Sequence, residues 1–171
     1  MDTIAGTYSR EGQQVLWRGR PIAGADPDSF EQLNDTWSRD AARVYCQDRR
    51  MKADRATFAV LSRIYAKDKD HVYEYNGIVK GADASTFEVL RPEREPEDES
   101  FCREYARDRE QVFHKVLTIG KVSVVRGASP STFRAVGWGF GLDQEAVGRA
   151  REAGIHEILH PGVLLHSTAI A

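Results

Sequence analysis

An all-β repeat fold is what this sequence predicts: an array of four to five β-hairpin repeats of about 28 residues forming a meander or solenoid-like sheet. Three observations predict it. The first is a recurring mark of an aromatic, a small residue, a base and an acid, at Tyr8-Ser9-Arg10-Glu11, Trp37-Ser38-Arg39-Asp40, Tyr65-Ala66-Lys67-Asp68 and Tyr105-Ala106-Arg107-Asp108. The second is a valine four residues after each acid, at Val15, Val44, Val72 and Val112. The third is a separate mark of alanine, Asp or Ser, two residues, Ser or Thr, and Phe, running from Ala25 to Phe30, Ala53 to Phe58, Ala82 to Phe87 and Ala128 to Phe133.

The two marks keep register with one another. From Phe30 to Trp37, Phe58 to Tyr65 and Phe133 to Phe140 the step is seven residues, and the last step opens a partial fifth copy at Phe140-Gly141-Leu142-Asp143, with Val147 four residues past its acid. The expected organisation is a single repeat domain over 1–171, with units at about 8–33, 37–61, 65–90 and 105–136, a partial unit at 140–171 and an insertion at 91–101. A shorter insertion separates Val112 from Phe133.

Each unit reads as a pair of strands. His71-Val72-Tyr73-Glu74-Tyr75-Asn76-Gly77 alternates with a period of two, which predicts a half-buried strand with Tyr73 and Tyr75 on one face. Leu16, Tyr45 and Phe113 are the counterparts of Tyr73, so stacked copies align a column of large residues. The other strand is expected at Phe87 through Val89, paired with the stretch ending at Tyr65-Ala66-Lys67, and Asp68-Lys69-Asp70-His71 supplies the turn. In the second mark the carboxylate of Asp26, Asp54 or Asp83 is placed to accept backbone N–H groups two and three residues on, setting the Phe down on the core; Ser129 does the same more weakly. Units this short and this rich in Gly, Tyr and Val do not suit helices.

In the third copy, Asp68-Lys69-Asp70-His71-Val72-Tyr73-Glu74-Tyr75 followed by Gly77, Gly81-Ala82-Asp83 and Thr86-Phe87 resembles the repeat of the DKNYYY family of bacterial proteins. The likeness spans residues 8 to about 147, close in the first and third copies and looser in the second and fourth. The second copy lacks a glycine-containing turn before Ala53, and the fifth loses the second mark. The resemblance implies a β-hairpin array and carries over no catalytic residues. Some bacterial proteins with such repeats resemble immunity or accessory proteins beside secreted toxins.

The totals narrow the function. Over 171 residues, hydrophobic residues make up 41% and charged residues 29%, the composition of an ordinary folded protein. A net charge of -2 argues against affinity drawn from neutralising many phosphates, so nucleic acid is not an expected partner. The start, MDTIAGTYSREGQQ, has no signal-peptide pattern and no stretch suits a membrane span, so a cytoplasmic location and no membrane partner are expected. Cys46 and Cys102 then read as reduced thiols.

The most conspicuous motif is His156-Glu157-Ile158-Leu159-His160 with His166 beyond it, the H-E-x-x-H of zinc peptidases. That chemistry needs both histidines on one face of a helix. Pro161-Gly162 would cut the helix immediately, Val163 stands where the longer pattern has glycine, and only Met1 and Met51 exist to make a methionine turn. In the repeat frame the pentapeptide falls where the fifth copy's second turn belongs, so a capping strand or loop is expected there, with no catalytic residue and no cofactor assigned. His156, His160 and His166 are the residues that would hold a metal.

The recurring acids Glu11, Asp40, Asp68, Asp108 and Asp143 read as turn caps rather than as a row of cation sites, because no Asp-x-Asp ligand cluster accompanies them. Arg39, Arg43, Arg49, Arg50, Lys52 and Arg55 make the second copy basic, while Glu93, Glu95, Glu97, Asp98 and Glu99 make the first insertion acidic. Solvated surface explains both blandly; charge complementarity to a protein explains them functionally. Trp138-Gly139-Phe140-Gly141 is read as core with an interface as the competing use. The expected function is a non-enzymatic protein-binding module, most concretely an immunity protein that neutralises a bacterial toxin by direct binding through the acidic insertion. A zinc-dependent hydrolase using HEILH and a structural repeat protein without a tight ligand are the alternatives.

Overall fold

The computed structural model describes residues 2–4, 7–92, 103–116, 119–137, 140–145, 157–160 and 163–166. The chain divides into two compact units, Met1–Lys80 and Gly81–Ala171.

Unit 1 holds three four-stranded antiparallel meanders. The first is β1 (Asp2–Ile4), β2 (Tyr8–Glu11), β3 (Gln14–Trp17) and β4 (Arg20–Pro21). The second is β5 (Glu31–Gln32), β6 (Trp37–Arg39), β7 (Val44–Cys46) and β8 (Arg49–Met51), and the third is β9 (Ala59–Val60), β10 (Ala66–Lys67), β11 (Val72–Glu74) and β12 (Gly77–Ile78). Unit 2 contains the meander β13 (Glu88–Leu90), β14 (Arg103–Arg107), β15 (Val112–Val116) and β16 (Ile119–Val124), with a register shift between His114 and Val116. Its other sheet runs β17 (Phe133–Gly137), β18 (Phe140–Asp143), β20 (Val163–His166), β19 (Glu157–His160), with β18 and β20 parallel at Gly141 and Val163.

The fold is therefore an all-β array of hairpin-like repeats, with each of the first four hairpins carrying a further strand on either side. The flanking strand does not pair where the sequence suggests. Glu88–Leu90 pairs forward with Arg103–Arg107, whereas Ala66–Lys67 pairs with Ala59–Val60 and with Val72 and Tyr73. The seven-residue step explains this. Asn34 Oδ1 accepts the N–H groups of Thr36 and Trp37, both at 2.8 Å, and Ser62 Oγ accepts those of Ile64 and Tyr65, both at 3.0 Å. These side-chain turns reverse the chain just after the Phe, so the residues following one copy's second mark become the edge of the next copy's sheet.

The alternation of residues 71–77 does not make a half-buried strand. Val72, Tyr73 and Glu74 are all buried, as are Val44, Tyr45 and Cys46 in the second copy. Sheets cover each other on both faces within the unit: Val44, Cys46 and Trp37 cluster with Phe58 and Tyr73, while Tyr45 clusters with Tyr8, Val15, Trp17 and Ile22. A strand covered on both sides has no solvent face for its sequence to mark.

The phenylalanines of the second mark are the bolts of this stack. Phe30 lies 5.4 Å from Tyr8 and 6.4 Å from Tyr45, and Phe58 lies 5.8 Å from Trp37 and 6.4 Å from Tyr73. In unit 2, Phe87 is 5.5 Å from Phe113 and Tyr105 is 5.1 Å from Phe133. Tyr45, Tyr73 and Phe113 thus sit in like surroundings, each against a second-mark Phe. Tilted ring pairs of this kind add about 0.5–1.5 kcal/mol beyond area burial. The small residue of the first mark makes room for the ring: a Cβ placed on Gly141 would lie 2.0 Å from Cζ of Phe133.

Candidate functional site

The polar constellation that ties one copy to the next is built on the aspartate of the first mark, and each of these carboxylates does two jobs. Oδ1 caps the hairpin turn. It accepts N–H groups from Ala42 and Arg43 at Asp40 (2.8 and 2.7 Å), from Asp70 and His71 at Asp68 (2.9 and 2.7 Å), and from Glu110 and Gln111 at Asp108 (2.8 and 2.7 Å). Oδ2 reaches to the second mark that precedes it. It accepts the N–H of Asp26 at Asp40 (3.1 Å), of Asp54 at Asp68 (2.8 Å), of Asp83 at Asp108 (2.9 Å) and of Ser129 at Asp143 (2.7 Å).

Two tyrosines complete the arrangement. Tyr45 Oη donates to Asp40 Oδ2 at 2.6 Å and Tyr73 Oη to Asp68 Oδ2 at 2.7 Å, and the same hydroxyls lie 3.1 Å from the Gly24 carbonyl and 3.0 Å from the Lys52 carbonyl. Phe113 occupies the corresponding place in the fourth copy without a hydroxyl. Gly24, Gly81 and Gly127 precede the second mark with left-handed φ of +73°, +79° and +76°, whereas the second copy turns through Lys52.

All four aspartates are at most 4% exposed. Burial pushes the Asp40 carboxyl up, but hydrogen bonds from the Tyr45 hydroxyl and the N–H groups of Ala42, Asp26 and Arg43 outweigh it and leave the group below the ordinary carboxylate value. Asp68 behaves alike: burial raises it, and the Asp54, Asp70 and His71 N–H groups with the Tyr73 hydroxyl bring it below. The same geometry that holds these carboxylates ionised directs their oxygens at protein donors. Among the described residues, no group of His, Cys, Asp or Glu is arranged to hold a metal ion. What this constellation does chemically is fasten turn to turn. Glu11 of the first copy is exposed and shares in none of it.

The second mark makes one of the two backbone contacts its residues predict. Asp26, Asp54 and Asp83 each accept the N–H two residues on, at 3.1, 2.9 and 3.0 Å, and Asp26 and Asp83 also accept the hydroxyls of Ser29 and Thr86. At three residues on, the backbone closes the turn itself, as from Thr57 N to the Asp54 carbonyl. Ser129 departs from the pattern, its hydroxyl meeting that of Ser131 at 2.9 Å.

Glu93, Glu95, Glu97, Asp98 and Glu99 lie outside the described residues, as do Cys102, Trp138, Val147 and His156. Glu157–His160 and Val163–His166 form an antiparallel pair of strands, so residues 157–160 do not provide the helix that H-E-x-x-H chemistry needs, and His160 and His166 belong to different strands. The basic second copy is largely internal wiring. Arg39 pairs with Glu31 at 2.7 Å, Arg43 donates to the Gly24 carbonyl, and Arg55 donates to the Asp40 carbonyl at 2.7 Å. Cys46 is a free, buried thiol, and burial pushes it up to about 12, far from the reactive thiolate range.

The link from each first-mark acid back to the preceding second mark is not visible in either mark alone. Its trace in the sequence is the constant separation of 14 residues between Asp26 and Asp40, Asp54 and Asp68, and Ser129 and Asp143.

Fold and constellation together define an all-β repeat protein in which the repeated polar residues are structural fasteners. A family model then places it: the DKNYY family matches residues 8–147, and the chain belongs to that family. Comparison with curated proteins gives no match, and comparison with solved structures gives none.

Proposed function

We propose that this chain is a protein-binding module, most concretely a cytoplasmic immunity protein that neutralises a bacterial toxin by direct contact. The observation that supports the reading is the use made of the repeated residues. The aspartates, the paired tyrosines and the second-mark phenylalanines are all engaged in holding successive copies together, which leaves the copies as a scaffold and their insertions as the variable surface. The acidic insertion, with Glu93, Glu95, Glu97, Asp98 and Glu99, supplies the charge to meet a basic, substrate-binding cleft.

The test is co-expression with a toxin-like product encoded next to this chain's gene. Growth restored by the chain, together with a stable complex on gel filtration, is the expected result. A variant with all five insertion acids made neutral should associate more slowly, most clearly at low salt. Unrelieved toxicity and no complex would sink the reading.

A further inference from the structure

The turns after the third strand and the fourth strands of unit 1 carry an uncommon charge distribution. Residues 18–21, 47–52 and 75–78 include Arg18, Arg20, Arg49, Arg50 and Lys52 against a single acid, Asp48. All five bases are exposed. The first-strand edge differs, for there Glu31 is neutralised by Arg39.

Two contacts, one from Arg20 and one from Arg49, link the three copies along this edge into a strip whose bases come from the first two. Arg20 reaches Asp48 of the next copy at 3.4 Å, and Arg49 donates to the Tyr75 carbonyl of the copy after that. The strip is partly pre-set. The guanidinium carbons of Arg18 and Arg20 lie 5.1 and 5.7 Å from the Trp17 ring, and Arg18 holds a left-handed φ of 47° that presents it at the turn. Among the described residues no carboxylate pairs with Arg18, Arg49, Arg50 or Lys52. The one ion pair in the strip is exposed and weakly held, so an incoming carboxylate exchanges for it at little cost.

We propose that this strip docks an acidic, extended segment of a protein. Guanidinium groups bind carboxylates through paired, planar hydrogen bonds, which suits Asp and Glu side chains presented along a chain. Single-stranded nucleic acid would need an aromatic platform for its bases. Trp17 cannot serve, being 7% exposed with its Nε1 donating to the Asp35 carbonyl at 3.2 Å. Backbone strand addition is disfavoured as the mode of capture, because β4 and β12 span two residues and β8 three. Recognition then rests on side-chain charge.

The experiment titrates the full chain with a fluorescein-labelled decaglutamate at low salt, and in parallel with a labelled single-stranded DNA 20-mer. One variant carries Arg18→Asn, Arg20→Ser, Arg50→Ser and Lys52→Ser; Asn is chosen at position 18 because it tolerates left-handed backbone. A control of equal charge change carries Lys69→Ser, Lys80→Ser, Lys121→Ser and Arg126→Ser. Circular dichroism establishes that both are folded. The expected result is saturable decaglutamate binding that weakens at least tenfold in the strip variant and less than twofold in the control. No saturable binding, equal weakening in the two variants, or DNA binding as tight as that of the peptide would overturn the proposal. The readout involves no toxin, so its failure is distinguishable from failure of the immunity reading.

Discussion

Asp68 is the most informative residue to remove. Its side chain is 2% exposed, and Asp68→Ala takes away the acceptor for four donors: the N–H groups of Asp70 and His71, the N–H of Asp54 and the Tyr73 hydroxyl. These losses are unequal. Asp70 and His71 are exposed, so water reaches their amides, and together they amount to a lost cap of about 1 kcal/mol. The Tyr73 hydroxyl keeps the Lys52 carbonyl. The half-buried Asp54 amide loses its acceptor on the inner side of the turn, at about 1–3 kcal/mol for a donor left unpaired. The sum is about 3 kcal/mol, a large part of the roughly 5–15 kcal/mol that holds a domain together. For a unit of this size about 4–8 °C of Tm follows each kcal/mol, so thermal unfolding should fall by roughly 15 °C. Asp68→Asn keeps an oxygen for the hairpin cap but offers an amide to the Asp54 N–H, and should lose about half as much. Urea unfolding followed by tryptophan fluorescence and circular dichroism measures both. If Asp68→Ala lies within about 0.5 kcal/mol of the parent, the carboxylate is not a fastener and the account of the repeat is wrong.

Acid should loosen the fold in a defined window. Asp40 and Asp68 have folded-state values below the ordinary carboxylate value, so their contribution is fully present above the unfolded value of about 3.9 and drains away as pH falls through the folded values. Urea midpoints should therefore hold steady at pH 5 and above and drop below pH 4; a flat profile down to pH 3 contradicts the reasoning. Phe58→Ala removes a ring held between Trp37 and Tyr73 and should cost about 3–5 kcal/mol by the same urea measurement, with less than 1 kcal/mol counting against the stack. Gly141→Ala should destabilise by at least about 1–3 kcal/mol, because its methyl group would fall 2.0 Å from a carbon of the Phe133 ring; a thermal melt unchanged from the parent would refute that packing.

Which parts of this were legible from residues alone is best seen in the third copy. Asp68 and Asp83 could be recognised as turn caps because capping is local: the acceptor and its amides are two or three residues apart, and the chain has little freedom to arrange them otherwise. Phe58 and Tyr73 could be recognised as core, since rings recurring at one place in every copy must share one environment if the copies stack. The candidate docking residues were not legible in this way. Arg39, Arg43, Arg49 and Arg55 form one basic cluster in the sequence, yet only the neighbouring copies reveal that Arg39, Arg43 and Arg55 reach partners in their own copy or the one before, while Arg49 reaches across to the Tyr75 carbonyl of the copy after.

Short-range chemistry copied every 28 residues or so made the repeat, the all-β character and most of the capping and packing residues legible in the chain itself. Only the stacked copies show that each of the first four hairpins is the middle of a four-stranded sheet, that Val72, Tyr73 and Glu74 are buried on both faces, and that each first-mark aspartate also grips the turn of the copy before. The physical reason is that alternation records how many faces of a strand meet water, whereas a neighbour stacked on the remaining face leaves no polar signature; and a hydrogen bond spanning two copies is fixed by how they stack, which no single copy encodes.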